Sequence, residues 1–172
     1  MIEVRLPTII SRGEKMRVLL AFDGSEYSKL AVEEVSTRPW RKGTELKILA
    51  VAASKIPMWL IVPNFTFPAA HYAEIHEHHK QFEKLLPEIA ESIRSTEHGS
   101  ELKIETEVIE GEPKDVIIEE AESWGADLII LGSHGYGNIK RFLLGSVAQA
   151  VSAHAPCSVE IVRRRRISEK IN

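Results

Sequence analysis

The chain has 172 residues, 44% hydrophobic and 27% charged, with a formal net charge of -3. That length suits one domain around one core, and the charge gives no general case for nucleic acid or a membrane surface as a partner. The single cysteine, Cys157, excludes an intramolecular disulfide framework, no apolar run approaches the ~20 residues that span a bilayer, and the N-terminus lacks a secretory signal's charged-then-apolar design, so the cytoplasm is the expected compartment.

Residues 1–15 are interrupted by Pro7 and Gly13 and are expected to be an N-terminal extension, although Ile2, Val4 and Leu6 alternate. Val18–Phe22 is a continuous apolar run, as a parallel strand buried on both faces requires. Asp23-Gly24-Ser25 ends it, and Ser25 is placed to cap a helix carrying Tyr27, Leu30, Ala31 and Val35 at helical spacing. Pro39 and Gly43 close that unit, and Leu46–Ala53 reads as a second strand. The stretch 54–70 holds Pro57, Pro63 and Pro68 among Trp59, Phe65 and Phe67, a long loop of the kind that carries function. Tyr72, Ile75, Phe82, Leu86, Ile89 and Ile93 mark a long helix that Pro87 is expected to kink or split.

Leu102–Val108 alternates, which predicts a half-exposed edge strand. Pro113 opens a helix with Ile117, Ala121 and Trp124 on its apolar stripe, and Gly125 ends it. Leu128–Leu131 is another central strand, Val147–His154 an amphipathic helix, and Ser158–Val162 a last strand. Cys157, at the start of that apolar run, is expected to be buried and inert. The folded domain is set at 16–163, with 164–172 as a basic, polar tail; Arg163–Arg166 reads as solvated rather than as a nucleic-acid or lipid contact. Alternating strands and helices predict an open α/β parallel sheet with helices on both faces, in the order 3-2-1-4-5. The order reverses between strands 1 and 4, and ligands bind outside the carboxyl ends of strands at such a switch point.

Strand 4 runs into Gly132-Ser133-His134-Gly135-Tyr136-Gly137, and Gly145-Ser146 precedes the next helix. Glycines let backbone amides approach an anion, and a helix N-terminus favours one. The Walker lysine and hydroxyl are missing, because Asn138 and Ile139 follow Gly137, and so is the third glycine of a dinucleotide fingerprint. What is present is Gly132-x2-Gly135-x9-Gly145-Ser146. The bland alternative is a tight loop with several positive φ angles that binds nothing. Asp23, at a strand terminus, can accept a hydrogen bond or make an Asx-turn, and Ser146 reads as a phosphate ligand or as its helix's N-cap. Lys140 and Arg141 read as phosphate counter-charges or as solvated loop charges. His71, His76, His78 and His79 share one segment; His76 and His79 have ligand spacing, but two histidines do not make a site and no metal is expected.

From Met16 to Val162 the chain resembles the universal stress protein family, through Val18–Ser25, Ala126–Gly135 and Leu144–Val147 with Pro156 beyond. The resemblance implies a flavodoxin-like fold, similar to that of the adenine nucleotide alpha hydrolases, and an ATP site, with or without Mg2+. By that resemblance Asp23 holds adenine, Val51 contacts it through backbone, and Gly132, Gly135, Gly145 and Ser146 take ribose and phosphates. Ala21, Ser25, Ser133, Arg141 and Val147 complete the implied nucleotide-binding set. Ala21 departs from the family pattern, which often has proline there. The resemblance further implies a homodimer through the last strand, with Val159 and Ile161 at the interface. The function expected is that of a stress-response regulator holding ATP or AMP for an unnamed signalling partner. A slow ATPase, or a dimeric interaction module without nucleotide, are the alternatives. No catalytic residue is assigned; His134 is the one nearby candidate for a general base.

Overall fold

The apolar runs form parallel strands because each buries both faces under helices, and the mixed run takes an edge where one side can stay wet. In the computed structural model, which describes residues 15–53, 69–135 and 144–163, the strands are β1 (Arg17–Phe22), β2 (Glu45–Ala52), β3 (Lys103–Glu110), β4 (Leu128–Gly132) and β5 (Ser158–Val162). The helices are α1 (Glu26–Thr37), α2 (Ala69–Arg94), α3 (Pro113–Trp124) and α4 (Ser146–His154). All four pairings are parallel and the order is β3-β2-β1-β4-β5, as the sequence predicts. Alternation along β1 divides the core. Val18, Leu20 and Phe22 pack with Ala31 and Val35 of α1 and Leu86, Ala90 and Ile93 of α2. Leu19 and Ala21 pack on the other face with Ile117 and Ala121 of α3 and Ala148 and Val151 of α4.

Three expectations change. Pro87 does not split α2, which is one helix from Ala69 to Arg94. Pro87 lies on the exposed side, where solvent can serve the carbonyl its missing N–H leaves unpaired, while Leu86, Ala90 and Ile93 anchor the inner side. The edge strand β3 runs two residues further than the alternation suggests, and none of its side chains is fully buried. And β2 carries a charge inside. Lys47 is 8% exposed, with Nζ at 2.6 Å from Glu120, 2.9 Å from Glu107, 3.2 Å from Glu105 and 5.2 Å above the Trp124 ring. Burial alone would push this ammonium's pKa down, but hydrogen bonds to the three carboxylates outweigh it and raise it above the usual lysine range.

The 54–68 stretch, Tyr136–Leu143 and the tail 164–172 lie outside the described residues, as does all of the extension except Lys15; with them go the expectations for Lys140 and Arg141. Among the described residues no helix is long and apolar enough to cross a membrane.

Candidate functional site

The carboxyl ends of β1 and β4 bring Asp23 and Gly132–Gly135 together, and α4 starts beside them. A crevice of about 1300 Å³ opens there. Its wall includes Ala21, Asp23, Val51, Gly132, Gly135, Gly145, Ser146 and Val147, eight of the eleven residues expected to bind nucleotide. Ser25 and Ser133 are not on that wall; they are 6% and 2% exposed and act behind it. Ser25 Oγ accepts from the Ser28 amide at 3.2 Å, capping α1, and donates to the His134 carbonyl at 3.3 Å. Ser133 N–H donates to Val162 and its carbonyl accepts from Gly145 N–H, both at 2.8 Å, which joins β4, β5 and the start of α4. Arg141 lies outside the described residues.

The glycines do a different job from the one their pattern suggests. None of Gly132, Gly135 and Gly145 has a positive φ. A Cβ at Gly132 would meet the backbone of Tyr27 and Ser28 at 2.7–2.8 Å, so this glycine lets α1 lie against the end of β4. A Cβ at Gly145 would sit 3.1 Å from the Ser133 carbonyl oxygen. A Cβ at Gly135 would be 2.7 Å from Asp23 Oδ2. Contacts within the chain thus require glycine at 132, make 145 tight, and at 135 set a side chain against the movable carboxylate of Asp23. The positive φ in this region belongs to Gly24, at 82°, in the turn after Asp23.

Asp23 combines both of its readings. Oδ1 accepts from the Ser25 amide at 3.0 Å, an Asx-turn, while no hydrogen bond to Oδ2 is found among the described residues. One carboxylate oxygen shapes the turn and the other remains for a donor. Across the crevice, the N-cap of α4 is Gly145 and not Ser146, which is the first helical residue. Glycine offers no side-chain acceptor and no cap bond is made. The first amides of α4 therefore lack a side-chain cap at the positive end of the helix dipole, the arrangement that receives anions.

His134 lines the same crevice. Its Nδ1 is 3.1 Å from Ser133 Oγ, its ring lies 5.1 Å from that of Tyr27, and its buried Nε2 has no hydrogen-bond partner among the described residues. Among the described residues a hydroxyl and an aromatic ring are the neighbours of this imidazole. On α2, His79 has Glu83 3.6 Å from Nε2 and Glu110 3.4 Å from Nδ1. No group of three or more His, Cys, Asp or Glu is placed to hold a metal ion among the described residues. Sequence reasoning missed the contribution of α2, whose His78, Phe82 and Leu85 also line the crevice. Their helical spacing reads as an ordinary core stripe, and nothing in it signals where the helix overhangs the sheet.

A family model described as "Universal stress protein family" matches residues 15–163. Among curated proteins, the chain is 29% identical over 147 residues to the universal stress protein YxiE of Bacillus subtilis, covering 86% of this chain and 98% of that one. Among solved structures, it is similar to the universal stress protein UspA from Lactobacillus plantarum, with a TM-score of 0.67, 22% identity, and coverage of 86% of this chain and 97% of the other. A universal stress protein in complex with cAMP aligns with a TM-score of 0.51 and 25% identity, over 86% of this chain and 96% of the other.

Proposed function

This chain belongs to the universal stress protein family, and from that premise we propose that it is a regulatory stress-response protein that holds ATP at the β1–β4 crevice and hydrolyses it slowly at most. The observation that carries the proposal is the pairing of an uncapped α4 N-terminus with the unused Oδ2 of Asp23 across one crevice. A nucleotide has the matching ends. Its adenine amine donates to Asp23 with Val51 alongside, and its phosphates take the first amides of α4 and the hydroxyl of Ser146, which is exposed. The relative in complex with cAMP supports an adenine nucleotide as the ligand class. With no set of three protein ligands among the described residues, Mg2+ would enter with the phosphates and their water, beside the hydroxyl of Ser146.

Slow turnover follows from what surrounds the phosphate end. Fast phosphoryl transfer needs a positioned nucleophile and charge stabilisation at the γ-phosphate. Asp23 is assigned to adenine, at the far end, and among the described residues no carboxylate orients His134. The resting species, ATP or AMP, and the downstream partner are further parts of this proposal, as is pairing of two copies through β5.

Titration calorimetry with ATP, AMP and cAMP tests it. Asp23→Ala is expected to weaken ATP at least tenfold, about 1.4 kcal/mol. Absence of binding by all three would favour an interaction module without nucleotide. Single-turnover hydrolysis is expected to take minutes or longer. A rate of about 1 per second, abolished in His134→Ala, would make the protein an ATPase.

A further inference from the structure

The crevice does not end at the cradle. It continues past Asp23 and Gly24 onto the opposite face of the sheet, into a groove between α1 and α2. The groove is walled by Phe22 of β1, Val32 of α1, and Phe82, Leu85 and Ile89 of α2. Gly24, with a φ of 82°, is among the residues that line the junction. The whole space, about 1300 Å³, exceeds the roughly 300–1,000 Å³ of ordinary small-ligand pockets. Leu85, 37% exposed, adds apolar surface to the groove.

We propose that the site accepts an adenine nucleotide carrying one apolar substituent on its exocyclic amine, with the substituent lying in the α1–α2 groove. The inference rests on the assignment of Asp23 to adenine. Its chemistry turns on a donor count. Asp23 Oδ1 is committed to the Ser25 amide, so Oδ2 needs one N–H from the ligand. An unsubstituted amine has two. Replacing one hydrogen by an alkyl group leaves a donor for Oδ2, and the crevice that holds Asp23 continues into the groove that would take the alkyl group. Replacing both removes the donor and leaves a carboxylate oxygen facing carbon. An apolar group in the groove would cover Leu85 and gain by leaving water.

The test is calorimetry on the full chain with AMP, N6-isopentenyl-AMP and N6,N6-dimethyl-AMP, in the wild type and in Leu85→Glu, with thermal melts confirming that the variant folds. The expected result is that N6-isopentenyl-AMP binds at least tenfold more tightly than AMP, that N6,N6-dimethyl-AMP binds more weakly than AMP, and that Leu85→Glu brings the isopentenyl-to-AMP affinity ratio back towards one. Equal affinities for AMP and its isopentenyl derivative in the wild type would overturn the inference and leave nucleotide binding standing. A preference that Leu85→Glu does not change would overturn the assignment of the groove. If the wild type binds none of the three, the nucleotide reading itself fails and this inference fails with it.

Discussion

Asp23 and Gly135 form the most informative pair of residues. Gly135 leaves room for the carboxylate that the Ser25 amide holds, and a methyl group there would lie 2.7 Å from Oδ2. Gly135→Ala is therefore expected to weaken ATP at least tenfold, about 1.4 kcal/mol, by displacing Asp23 rather than by obstructing phosphate. The two mechanisms separate in a double-mutant cycle. In an Asp23→Ala background, calorimetry should show little further loss from Gly135→Ala; a full, additive loss would return the glycine to the phosphate. Cys157 permits a second prediction. It is half-buried rather than buried as expected, yet desolvation, followed by the nearby charge of Asp127, pushes its thiol up to about 11. Both causes disfavour the thiolate, which is the reactive form. Alkylation by iodoacetamide should thus be slow at pH 8 and should accelerate as pH rises towards that value. A rate at pH 8 equal to that of an exposed cysteine in a peptide would contradict the burial.

Among the elements, Lys47 shows how a charge can sit inside a strand that otherwise reads as apolar. It joins the third strand to α3 through Glu105, Glu107 and Glu120. Lys47→Met would leave these carboxylates facing one another without a counter-charge. We expect a loss of about 2 kcal/mol in urea unfolding, below the roughly 3–5 kcal/mol of a fully buried pair because Glu105 and Glu107 are partly in water. An unchanged unfolding midpoint would mean that solvation and repulsion cancel there. Lys47 also marks where the sequence ceased to be legible. The strand order, the caps at Ser25 and Gly125 and most element boundaries follow from apolar period and turn chemistry, which are local. The partners of Lys47 are up to 73 positions away, and no local pattern encodes such a contact. The same limit applies to the site. The glycine spacing located the crevice, but its reasons lie in atoms brought from α1 and the turn after β1. The unbroken α2 across Pro87 depended on which side of the helix meets solvent.

For the whole molecule, the proposed assembly turns on β5, the edge strand of the sheet among the described residues. Ser158 N–H donates to Asp127 and the Val162 carbonyl accepts from Ser133, so these residues of one parity face β4. In a strand, alternate residues turn their N–H and C=O to opposite sides. The backbone groups of Val159 and Ile161 therefore point away from the sheet, although both side chains pack on its core. A second copy can pair with them. Ile161→Pro removes an outward N–H and no bond to β4, so it is expected to convert a dimer into a folded monomer by light scattering at micromolar concentration. A wild type that is already monomeric would contradict the pairing. The opposite edge behaves otherwise. Along β3, Lys103, Glu105 and Glu110 are exposed and Glu107 is half-buried, and two such edges laid side by side would set carboxylate against carboxylate. A sheet with one receptive edge and one repellent edge can be extended only once. On the proposed pairing through β5, molecules crowded together would close into pairs and would leave no receptive edge from which a fibre could grow.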